Sequence, residues 1–152
     1  MTLRHRLWML ARSIAVGWAT LIALTYLAQR PLLRLTAPLV GPHWIATASL
    51  ALNCLKLLAT GWAIGRLHRA APLTGMLAFA ATLALFNLDP WLPLDLQQLI
   101  RLGIDAAKSA RYWGPLATMA AQHILLFASL FAGALVSRAP ETPLSIFGPT
   151  SR

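Results

Sequence analysis

The chain has 152 residues, 58% of them hydrophobic and 11% charged, with a net charge of +9. Soluble domains carry about 25% charged residues, so this composition, with a mean hydropathy of +0.64, excludes an ordinary water-soluble fold. The excess of base does not point to a nucleic-acid partner either. The arginines sit in small clusters at the ends of apolar blocks (Arg4 with Arg6, Arg30 with Arg34, Arg66 with Arg69, then Arg138), where membrane helices are anchored and oriented.

The apolar residues fall in four long blocks. They predict an all-α, polytopic membrane protein: four transmembrane helices in a bundle plus one amphipathic interfacial helix, one domain over 1–138 and a mobile tail over 139–152. After the basic head MTLRHR, the first span runs over 7–28, about 33 Å of helix at ~1.5 Å per residue. Tyr26 breaks the small-x-small pattern of a cleavage site before Ala28, so this helix is expected to be retained. Pro31, Pro38 and Pro42 predict an irregular basic loop from Gln29 to Pro42.

The second span covers 43–65, with Trp44 and Trp62 near its ends as interfacial aromatics. A very short loop after Arg66 makes it a helical hairpin with the third span, 73–88, which is short and stops at Asn87 and Asp89-Pro90. Residues 95–112 form an amphipathic helix with an Asp95–Gln98 capping arrangement. Leu96, Leu99, Ile100, Gly103 and Ala107 share one face; Arg101, Asp105 and Lys108 lie on the other at ion-pairing spacing. The fourth span covers 115–137. Counting Lys and Arg on the two sides puts both termini in the cytoplasm, in a bacterial inner membrane.

Polarity inside the spans carries the functional information. Ser49, Asn53, Lys56 and Thr60 form one stripe on span two, and Thr118, Gln122 and Ser129 one on span four with His123 a step round. Span one offers Ser13, Gly17 and Thr20. Lys56 lies at mid-depth, where a charge costs at least ~2.5 kcal/mol. No carboxylate is expected at that level, since Asp89, Asp95 and Asp105 all follow the end of span three, the first two explained by turn and cap duties. The expected seam is therefore Lys56, Asn53, Thr60, Gln122 and His123, with any counter-ion supplied from outside the chain. Gly61 and Gly65, with Ser129 and Gly133 as a looser counterpart, are the expected close-packing positions.

No catalytic motif and no metal-ligand spacing is present, and the lone Cys54 excludes an internal disulfide. Three functions remain. The first is a non-catalytic accessory or structural subunit of a membrane complex, whose partners are the bilayer and other membrane subunits or further copies of itself. The second is a small homo-oligomeric transporter or channel with a polar path around Lys56. The third is a redox subunit using His123 toward quinone or haem. No cofactor is expected, and haem is disfavoured because His43 lies at a different depth and His5 and His68 lie on the other side.

Overall fold

The computed structural model describes residues 3–39, 41–67 and 72–137, and these are helical without any strand. Helix α1 (Leu3–Leu24) passes into a π-helical turn (Thr25–Gln29) and then α2 (Arg30–Thr36). These are followed by α3 (Pro42–Leu67), α4 (Pro72–Leu85), α5 (Leu96–Lys108), a 3-10 turn (Ala110–Tyr112) and α6 (Trp113–Val136). Three continuous helical stretches are long and apolar enough to cross a membrane: Leu3–Thr36, Trp44–Leu67 and Ala110–Val136. The tail over 139–152, Arg138, His68 with Arg69, and the side chain of His43 lie outside the described residues.

Burial is inverted relative to a water-soluble protein. Ser13, Thr25, Gln29, Asn53, Lys56, Thr60, Asp89 and His123 are buried, whereas Trp8, Leu27, Leu55, Leu77, Ile124 and Leu135 are exposed. A core of Leu21, Leu57, Ile64, Phe79, Leu83, Leu126 and Leu130 fills the space between α1, α3, α4 and α6.

The strongest packing is α3 on α6, and glycine makes it close. A Cβ on Gly61 would lie 1.9 Å from the Leu130 carbonyl oxygen, and one on Gly133 would lie 1.9 Å from that of Leu58. Gly65 in turn faces Ala134 and Ser137. Contacts advance in the same direction along both helices, so α3 and α6 run parallel. The fourth expected packing position, Ser129, is half-buried, and its hydroxyl donates to the Leu125 carbonyl of its own helix.

The irregular loop expected from Gln29 is instead helix as far as Thr36. Pro31 has no N–H for the residue one turn back, and its ring crowds that turn. The wider π turn just before it, closed by the Arg30 N–H to the Thr25 carbonyl, opens the turn into which the ring must fit. The extra residue also holds orientation: Ser13, Gly17, Leu21, Thr25, Gln29 and Leu33, each four apart, are all buried. Thr20, expected on this stripe, is only half-buried; Leu21 takes the place.

Helix α4 stops at Leu85, earlier than the expected 88, after 14 residues or about 21 Å. Helix α5 starts as expected, with the Asp95 side chain accepting the Gln98 amide at 2.9 Å, but ends at Lys108 rather than 112. Extended Ser109 breaks it, and α6 then begins at Trp113, ahead of Pro115. Neither expected ion pair on α5 forms: among the described residues, the Arg101 and Lys108 side chains contact no carboxylate.

Candidate functional site

Lys56 lies near the middle of α3 and is 4% exposed. Its ammonium has three protons to donate, and the fold supplies three acceptors: Asp89 Oδ2 at 2.5 Å, Gln29 Oε1 at 2.7 Å and Thr25 Oγ1 at 2.9 Å. Asp89 therefore corrects the expectation that no carboxylate reaches this level. Because α4 is short, the chain beyond it turns back against α3 instead of continuing away from it.

Each partner is itself held. The Thr25 hydroxyl proton is shared between Asp89 Oδ2 at 2.8 Å and the Leu21 carbonyl at 2.9 Å. Gln29 donates through Nε2 to Asn53 Oδ1, and Asn53 donates through Nδ2 to the Trp91 carbonyl. Asp89 Oδ1 accepts the Trp91 amide, so the carboxylate shapes its own turn as well as binding Lys56. Thr25 and Gln29, four residues apart on one continuous helix, reach the same ammonium.

Residues 86–95 form no regular element, and side chains satisfy much of their backbone. Asn87 donates to the Leu92 and Leu94 carbonyls and accepts from the Asp89 amide. Arg30 closes over this segment, with its guanidinium carbon 4.6 Å from the Tyr26 ring centroid and 5.8 Å from that of Trp91. At these distances both rings attract the cation through their π faces.

The ion pair stands between two cavities. Asp89 borders an open cleft of about 620 Å³, whose polar wall includes Asn87, Asp95, Gln97, Gln98 and Gln122. Lys56 and Gln29 border a smaller, mainly apolar groove of about 290 Å³ between α1 and α3, walled by Leu24, Ala28, Leu52 and Ala59.

The expected seam is thus redrawn. Lys56 and Asn53 meet in one network, while the buried Thr60 bonds the Lys56 carbonyl within α3. Gln122 is half-buried and faces the cleft. His123 is buried apart from the network: its Nδ1 donates to the Met119 carbonyl at 2.8 Å, and its buried Nε2 has no hydrogen-bond partner among the described residues. Thr25, Gln29 and Asp89 join the network from outside the expected seam. Their signals in the sequence are the Thr25–Gln29 spacing of four residues just ahead of Pro31, and a third span too short to cross. Among the described residues, no three His, Cys, Asp or Glu side chains gather to hold a metal ion. Comparison with family models, curated proteins and solved structures gave no match.

Proposed function

We propose that the chain is a four-crossing integral membrane protein that carries or conducts a proton or small ion along a polar path past Lys56 and Asp89. The long helices supply three crossings; α4 and the 86–95 segment supply the remaining, interrupted one, third in chain order. The parallel run of α3 and α6 supports this, as second and fourth crossings must share a direction. The basic clusters at Arg4 and Arg6 and at Arg66 and Arg69 favour termini in the cytoplasm of a bacterial cell.

The observation that carries the reading is an ion pair between mid-α3 and a non-helical segment at the foot of an open polar cleft. Irregular backbone at membrane depth is tolerated where it is buried in protein or lines a wet cavity, and interrupted helices at that depth are where transporters hold substrates and coupling ions. A proton reaching Asp89 from the cleft neutralises the carboxylate and loosens its hold on Lys56, coupling ion occupancy to the position of the 86–95 segment. The accessory-subunit reading loses one of its supports, a lysine answered only from outside the chain.

Proteoliposomes containing a trapped pH dye test the reading under an imposed potential, with sodium and potassium flux followed in parallel. Flux that is lost in Asp89→Asn and altered in Lys56→Met supports it. Absence of all three fluxes, or flux indifferent to both substitutions, overturns it.

A further inference from the structure

Helix α5 splits its apolar side in two. Leu99, Leu102 and Ala106 turn toward the fold, with Ala106 buried. Leu96, Ile100 and Ile104 form a second stripe four residues apart that is 39%, 56% and 53% exposed. Exposed Trp113 follows at the start of α6.

The charges beside this stripe have an order. At about 100° per residue, Lys108 and Arg101 lie roughly 40° and 60° round the helix from Ile104, with Asp105 beyond them. Both cations are exposed and contact no carboxylate among the described residues, while Asp105 is half-buried. Arg111 is exposed as well, resting on the Tyr112 ring at 4.6 Å. An apolar flank bordered by exposed cations matches the layering of a lipid monolayer, with acyl chains below and phosphates at the rim.

We infer that α5 lies in the headgroup layer and selects anionic lipid, its Ile100–Ile104 flank in the acyl region and Arg101, Lys108 and Arg111 on lipid phosphates. This rests on the membrane-embedded reading above. The test uses the full chain in phosphatidylcholine vesicles holding trace spin-labelled phosphatidylglycerol or phosphatidylcholine, and measures the immobilised fraction of each. The expected result is a preference of about threefold or more for phosphatidylglycerol, abolished by the combined Arg101→Gln, Lys108→Gln and Arg111→Gln variant and by 1 M salt (about a 3 Å screening length). The Arg4→Gln/Arg6→Gln variant should retain it. Equal association of the two lipids, or a preference that follows Arg4 and Arg6 instead, overturns the inference. So does a second protein that co-purifies and shields a label placed at Ile104→Cys. Vesicle flotation separates the two levels: a chain that does not float overturns the membrane reading, whereas one that floats without lipid preference overturns only this one.

Discussion

Lys56 and Asp89 form an ion pair 2.5 Å long in which both side chains are almost fully buried. Breaking such a pair from one side leaves a stranded charge, whereas replacing both members with apolar groups removes the desolvation cost as well. Lys56→Met or Asp89→Leu alone is therefore expected to destabilise the fold by about 3–5 kcal/mol. The double variant should recover most of that loss. Thermal unfolding in mild detergent checks this, and additive losses would show that the two residues do not act as a pair.

Gln29 is the joint between the ammonium and Asn53. Gln29→Leu leaves one Lys56 proton and the Asn53 oxygen without partners, at an expected cost of about 1–3 kcal/mol. Thr60→Val, which removes only a bond to the carbonyl of its own helix, should stay within about 1 kcal/mol. Comparable losses for the two would mean that the network is not what makes Gln29 important.

Two glycines should respond with opposite signs. Gly61→Ala places a methyl group against the backbone of α6, and forced overpacking costs about 1–3 kcal/mol. Gly103 has open space around the position of its missing Cβ, so Gly103→Ala should gain up to about 1 kcal/mol from helix propensity. Melting temperatures of the two variants settle the comparison.

Asp95→Ala removes the side-chain cap of α5, worth about 0.5–2 kcal/mol. The loss should be local. Hydrogen exchange of the Gln98 amide and the first turn of α5 is expected to accelerate while α3 and α6 keep their protection.

The helical class, the main apolar stretches and the start of α5 were legible because hydropathy and capping act over a few residues. The α3 glycines were also legible as close-packing positions, although their partner was not. The site was only half legible. Polarity in an apolar run marks Lys56 and Asn53, yet their partners are set by where the chain turns back, and a proline was read as ending helix where a π turn carries helix past it. Linear order alone places Asp89 outside the site, because a residue that follows a span is expected to lie beyond it. Gln122 keeps the spacing of the seam but reaches only the cleft that Asp89 borders, and His123, a step round, bonds its own helix, since spacing fixes a face without fixing what that face meets.

The order of synthesis gives the ion pair a further consequence. The neutral acceptors Thr25 and Gln29 are made before Lys56, but its counter-ion is made 33 residues after it. The N-terminal hairpin can therefore solvate the ammonium with two acceptors and cannot neutralise it. On the membrane reading proposed above, a mid-depth lysine without its carboxylate carries an insertion penalty of at least ~2.5 kcal/mol, so α3 is expected to settle only once the segment beyond α4 has emerged. Chains truncated between Lys56 and Asp89 should accordingly integrate poorly, and extending them through Asp89 should restore integration in one step.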